Sequence, residues 1–120
     1  MANPNIVGVT AMYGKTAGLA VGASAPVAIV TNAASSGKVY KVNSLTVANI
    51  NTAAATVNVD VYKNQTTAYR IAYTVTVPAN ATLVIISRET PIYLEENDSI
   101  RLLSSINGYL EAVVSYEDIS

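Results

Sequence analysis

Thr56-Val57-Asn58-Val59-Asp60-Val61-Tyr62 decides how this chain is read. Valine falls at every second position, and Thr, Asn, Asp and Tyr fill the places between. Side chains on an extended backbone point alternately to opposite faces, so this period of two gathers the valines on one face. Such a stretch is a half-buried β-strand with Val57, Val59 and Val61 toward the core. After the polar loop Lys63 to Thr67 the alternation returns, with Ile71, Tyr73, Val75 and Val77 set against Arg70, Ala72, Thr74 and Thr76.

Outward from this pair, strand and turn signals follow one another. Val39 to Asn49 reads as a long strand whose phase slips. Tyr40 and Val42 share one face while Leu45 and Val47 belong to the other, which predicts a bulge or bend near Asn43-Ser44. Pro26 opens the run Val27 to Thr31, and Asn32 to Gly37 is a turn or loop. Asn49 to Thr52 is a polar turn, and Pro78-Ala79-Asn80 closes the strand before it. Thr82 to Ser87 holds four consecutive apolar residues, which predicts burial on both faces. Pro91 to Leu94 is short, Glu95-Glu96-Asn97-Asp98 is an acidic turn, and Ser99 to Leu103 returns from it. Ser104 to Gly108 turns again, and Tyr109 to Tyr116 is the last strand, with Leu110, Ala112 and Val114 on one face.

The N-terminal part is different. Asn5 to Thr10 is a short β-prone run, and residues 11–25 are small and rich in Gly and Ala, with Gly14, Gly18 and Gly22 spaced by four. The stretch reads as a flexible arm or an irregular strand. The expected organisation is a flexible Gly/Ala-rich arm over 1–24 and a single β-sandwich domain over 25–120. Eight or nine short strands at regular spacing and no substantial helix give an all-β class. A two-sheet, jelly-roll-like β-sandwich is its natural closure.

Composition narrows the chemistry. The chain has no His and no Cys. It therefore lacks the commonest general acid–base, the thiolate nucleophile and the usual zinc ligands. Phe and Trp are absent too, so the eight Tyr are the only large aromatics. Seven basic against eight acidic residues leave a net charge of −1, which offers no footprint for nucleic acid. Charged residues make up 12% of the chain, about half the usual quarter. Two readings fit: a small β-domain solvated by Thr, Ser and Asn, or a protein largely covered by other chains. No apolar run approaches the roughly 18 residues of a membrane span. Residues 1–25 carry Lys15 as their one positive side chain, after the apolar stretch Ile6 to Val9, unlike a signal peptide. The sequons at Asn64, Asn80 and Asn97 are read as chance in an Asn/Thr-rich chain.

Few motifs survive comparison with their plain alternatives. Glu89, Glu95, Glu96 and Asp98 could converge on calcium, but their spacing follows no D-x-D-x-D-G loop, and a solvated hairpin turn accounts for them. Glu111 could face Glu95 or Asp60 as a glycosidase pair, although nothing favours that over surface placement. Gly14-Lys15-Thr16 echoes a phosphate-binding loop without the required upstream Gly, since position 9 is Val. No catalytic, cofactor or metal residue emerges. Exposed Tyr can stack on sugar faces, so Tyr62, Tyr69 and Tyr116 are candidate glycan or interface contacts. The alternative is that Tyr replaces the missing Phe and Trp in core and interface.

Three phrases carry a resemblance: Ser35-Ser36-Gly37-Lys38-Val39-Tyr40-Lys41-Val42-Asn43-Ser44-Leu45, Thr90-Pro91-Ile92-Tyr93-Leu94-Glu95-Glu96-Asn97-Asp98-Ser99-Ile100-Arg101-Leu102, and Leu110-Glu111-Ala112-Val113-Val114-Ser115-Tyr116-Glu117. Together they resemble a family of small virion structural proteins of tailed bacteriophages, especially phages of aquatic bacteria such as cyanophages. The resemblance covers roughly residues 25–120 and rests on strand phrases and a turn, not on a catalytic signature. Where a Gly is expected before the turn aspartate this chain has Asn97, which also tolerates a left-handed conformation.

The resemblance implies a non-enzymatic particle component without cofactors, made in the host cytoplasm and located in the virion. Its first form is a capsid decoration (cement) protein on the capsid surface, partnered by the major capsid protein and other virion subunits. A tail, neck or fibre subunit is an alternative, and a carbohydrate- or host-surface-binding sandwich is a second. Neither nucleic acid nor membrane is an expected partner. The sparse charge and the run Thr82-Leu83-Val84-Ile85-Ile86 predict a homo-oligomer. A trimer is favoured only because three-fold positions recur on an icosahedral shell.

Overall fold

The computed structural model describes Gly8 and residues 11–120. Among the described residues there are nine strands and no α-helix. They are β1 (Met12–Ala20), β2 (Val27–Thr31), β3 (Val39–Asn49), β4 (Ala55–Lys63), β5 (Thr67–Val77), β6 (Thr82–Ile86), β7 (Ile92–Leu94), β8 (Ser99–Ser104) and β9 (Leu110–Ile119). They form two antiparallel sheets. The first runs β1-β9-β3-β6, with β7 also on β3, and the second runs β2-β8-β4-β5. Among the described residues no helix is long and apolar enough to cross a membrane.

The pairing is nested. β1 lies against β9, β2 against β8, β3 against β6 and β4 against β5, all antiparallel. A chain folded back on itself and then rolled gives this order, which is that of a jelly roll. It follows from the alternating pattern: each strand has one apolar face, and two sheets facing each other bury all of them in one core.

The core is aliphatic. Leu45, Val47, Val57, Val59, Ile100, Leu102, Leu110 and Val114 are fully buried between the sheets. Tyr40, Tyr109 and Tyr116 pack against this cluster from its margins. They fill part of the space that Phe or Trp would occupy, with their hydroxyl-bearing rings kept at the edge of the apolar region.

The slip in β3 is a bulge. Val42 pairs with Tyr116 and Ser44 with Ser115, so Asn43 is the extra residue. It lets Val42 and Leu45, three positions apart, both turn inward. Asn97 adopts φ 69°, so the turn before Asp98 keeps its left-handed residue without glycine.

Three expectations are corrected. Residues 12–20 are not an arm outside the domain. β1 pairs with β9 from Met12–Ile119 to Ala20–Glu111, and Val21 after it joins the core. The small side chains hid a strand whose inward positions Ala17 and Leu19 suffice to pack. Residues 1–7, 9 and 10 of the expected arm, and with them the run Asn5 to Thr10 apart from Gly8, lie outside the described residues. The apolar run of β6 is not buried on both faces. β6 is an edge strand, Ile85 is an extra residue in its pairing with β3, and Val84 is 59% exposed. Tyr73 does not share the core face of β5: a bulge between the Val75 and Ala72 pairs turns it out, and it is 66% exposed.

Adjacent residues of β9 test the face assignment. Val114 is fully buried and Val113 is 47% exposed. Val114→Ala is expected to lower unfolding free energy by about 2 kcal/mol, the transfer cost of the lost methyls plus the cavity. Val113→Ala should stay within about 0.5 kcal/mol. Denaturant melts of the two variants make the comparison.

Candidate functional site

Polar residues collect in three places. The first is the end of the sandwich where the loops 32–38, 64–66 and 95–98 meet. Asn32 is fully buried there. Its Nδ2 donates to the carbonyls of Lys38 (2.8 Å) and Leu94 (3.0 Å), and its Oδ1 accepts from the Ser36 hydroxyl at 2.6 Å. Asp98, also buried, accepts from the Lys63 ammonium (2.6 Å), the Asn64 amide (2.9 Å) and the Glu95 amide (3.0 Å). Glu96 accepts from the Gly37 amide, and Glu95 lies 3.6 Å from the Lys63 ammonium. The acidic turn is thus neither solvated throughout nor arranged as a cation cage. Its carboxylates are directed at ammonium and amide donors of this chain. Among the described residues no group of three or more acidic side chains could hold a metal ion.

The second place is the margin of the core beneath β1. Asp118 is buried, and its Oδ2 accepts from Lys15 (2.9 Å) and Lys38 (3.4 Å). Its Oδ1 is buried without a hydrogen-bond partner. Tyr40 and Tyr116 stack beside it at 5.2 Å between ring centroids. The bond to Asp118 raises the Lys15 pKa, and the bond to Asp98 does the same for Lys63. Burial first, and then the Asp118 charge, raise that of Tyr40.

The third place is the outer face of the second sheet. Arg101 grips Asp60 through Nε–Oδ1 (2.9 Å) and Nη2–Oδ2 (3.3 Å), and lies 3.8 Å from the Tyr62 ring centroid. Next to them on β5, Arg70 lies 5.6 Å from the Tyr73 ring. Cross-strand register explains this grouping, since Asp60 stands between Arg101 on β8 and Arg70 on β5.

The three candidate tyrosines do not form one platform. Tyr116 faces the space between the sheets and packs on Tyr40. Tyr62 is half-buried with one ring face taken by Arg101. Tyr69 is 62% exposed on β5. Tyr73 was missed because its place in the alternation pointed inward. The only signal for it was the bulge, which the sequence does not mark. Glu111, Glu95 and Asp60 are not brought together either. Three surface depressions hold one carboxylate each: Glu117 beside Lys41 and Arg88, Glu111 beside Gly18 and Val113, and Glu96 beside Asn64 and Asn97.

No protein-family model matches this chain, and no curated protein matches it.

The raised values carry a sign. Lys15, Lys63 and Tyr40 all hold their protons more tightly folded than unfolded. Their contributions are complete below the ordinary values of 10.5 for the lysines and 10.0 for Tyr40, and are lost as pH climbs through the folded values. The melting temperature is therefore expected to fall on the alkaline side, above about pH 10. Lys63→Met should lower stability at neutral pH and make the alkaline fall shallower, and melting curves of both proteins across that range measure it.

Removing Asp98 should be costly on its own. Asp98→Ala strips the acceptor from two buried-end amides and from Lys63, whose partial exposure limits the loss. We expect about 2–3 kcal/mol by denaturant titration.

Proposed function

We propose that this chain is a non-enzymatic structural subunit of a tailed-phage particle, and within it a capsid decoration protein. It binds neighbouring copies of the major capsid protein and stabilises the shell. The observation that carries this reading is the outer face of the first sheet. By register that face holds Gly14, Thr16, Gly18 and Ala20 on β1, Val113 and Ser115 on β9, Thr46 and Ala48 on β3, and Val84 on β6. Its middle is short in side chain, with Val84 and Val113 exposed on it, while Glu111 stands toward one end and Glu117 and Lys41 toward the other. A surface of that kind adds contact area without chemistry. Roughly 1,600 Å² of total burial makes a standard interface, and repetition over a shell multiplies it by avidity. The strand phrases shared with small virion proteins support the same reading.

Two further observations support a binding role over catalysis. The described depressions hold single carboxylates, while glycoside cleavage needs a pair. The buried Asp98 and Asp118 are occupied by lysines of this chain. Self-association belongs to the proposal.

Shells lacking this chain, mixed with the purified protein, test the proposal. The wild type is expected to bind them and raise the temperature at which they open. The double variant Val84→Lys/Val113→Lys, at exposed positions, should fold normally and bind on the order of 100-fold more weakly. Equal binding by the double variant, or imaging that finds the chain on the tail, overturns the decoration role.

A second reading has its own observation. Tyr73 and Arg70 stand exposed together on β5, a pair able to stack on and hydrogen-bond a sugar. Glycan-array signal that disappears in Tyr73→Ala would favour a host-surface-binding module. A blank array removes that reading.

A further inference from the structure

We infer that β1 is the contact strand of a two-fold homodimer. It pairs antiparallel with β1 of a second copy, so that the first sheet runs through both subunits. The inference stands on the strand itself and does not rest on the particle reading.

Among the described residues β1 ends the first sheet, with β9 on one side and no strand on the other. The phase of its free hydrogen-bonding groups follows from its two ends. Ala11 and Ser120 exchange both backbone bonds, at 3.1 and 2.9 Å, and the Val21 amide donates to the Leu110 carbonyl at 2.9 Å. In an antiparallel ladder successive residues bond alternately to one side and the other. The odd-numbered residues of β1 are therefore committed to β9. Met12, Gly14, Thr16, Gly18 and Ala20 aim their N–H and C=O groups away from it, and among the described residues nothing bonds to them there.

The other sheet edges are blunted. β2 and β6 are five residues long and each is bulged. β5 is long, but its register breaks twice and Arg70 lies within it. β1 is nine residues in unbroken register with no Pro. Its one charge, Lys15, is held by Asp118. A long regular edge of this kind is a template for another strand.

The sequence of β1 fits itself. Outward-aiming residues must pair with outward-aiming residues, and a two-fold axis at Thr16 does this over the whole strand. Met12 then faces Ala20 of the second copy, Gly14 faces Gly18, and Thr16 faces Thr16. On the inner face Tyr13 meets Leu19 and Lys15 meets Ala17. Tyr13, exposed in the single chain, gains an apolar neighbour. A threonine pair is a favourable cross-strand match, and no like charges stand directly opposite. The glycines agree. A Cβ at Gly14 would meet nothing within 4 Å, and one at Gly18 would meet only the Ala112 carbonyl oxygen at 3.7 Å. Packing within the chain does not require either glycine. Glycine inside a strand is found where another backbone comes close.

The chain has no cysteine, so Thr16→Cys introduces its only thiol. Across a hydrogen-bonded antiparallel pair the two Cα atoms are about 5.5 Å apart, within disulfide reach. In Ala20→Cys the equivalent thiols would sit eight residues apart along the strands, roughly 27 Å. Under mild oxidation Thr16→Cys is expected to form covalent dimer at least on the order of tenfold faster than Ala20→Cys. Sedimentation of the wild type should show a dimer that dissociates on dilution. Gly14→Lys/Gly18→Lys, which sets lysines opposite one another at both glycine pairs, should weaken association on the order of 100-fold with an unchanged circular-dichroism spectrum. A monomeric or trimeric wild type overturns the inference, as does equal crosslinking of the two cysteine variants. If the lysine variant does not fold, the cysteine comparison decides alone.

Discussion

Two buried asparagines hold the sandwich closed. A strand that leaves one sheet for the other must carry its backbone across the end of the core, where carbonyls lose water before they gain a ladder partner. Asn32 meets this need at one end. It sits after β2 of the second sheet and donates to Lys38, just before β3, and to Leu94, at the end of β7, both in the first sheet. Its own amide and carbonyl bond to Asp98 and Asn97, so the β2–β3 and β7–β8 crossings are tied together. Asn49 does the same at the other end. Its Nδ2 donates to Ala53 (2.9 Å) and Val77 (3.0 Å), joining the β3–β4 and β5–β6 crossings. Neither side chain can be shortened without leaving two carbonyls unsatisfied, whereas a single aliphatic core position can partly relax.

That constraint explains what could be read from the residues and what could not. Strands announce themselves through period two, and β2, β3 and β7 are bounded by Pro, Asn or Gly where the turns fall. The bulge at Asn43 was legible because two apolar pairs of opposite phase flank it. Asn32 and Asn49 were not legible as anchors, since Asn in a turn and Asn in a buried end look alike in sequence. Asp98 was hidden for the same reason inside an acidic turn. β1 was obscured by composition: an edge strand needs few apolar contacts, and Ala17 and Leu19 are a weak pattern among glycines. The misplacement of Tyr73 came from the β5 bulges, which shift phase where Thr74 takes φ 53°, an unusual value for a β-branched residue. Function was less legible than fold, because the strands carry no catalytic or ligand-binding motif.

The distribution of charge bears on how such a molecule meets a partner. Four of the seven basic side chains, Lys15, Lys38, Lys63 and Arg101, are in ion pairs with Asp98, Asp118, Glu95 or Asp60. The acceptors Asp60, Asp98 and Asp118 are themselves buried, so these pairs fix loops and strand ends. Long-range steering needs a net field, and a chain of charge −1 with about half of its charged side chains matched internally produces little of one. On the proposed reading, association through the outer face of the first sheet would be governed mainly by shape and apolar contact over a few ångströms. Such an interface forms at ordinary diffusional rates, depends weakly on salt, and owes its strength to slow release. Repeated presentation on a lattice suits that regime, since rebinding at neighbouring sites compensates for the missing attraction at a distance. The same economy leaves the β1 edge without the outward charges that would keep another strand away.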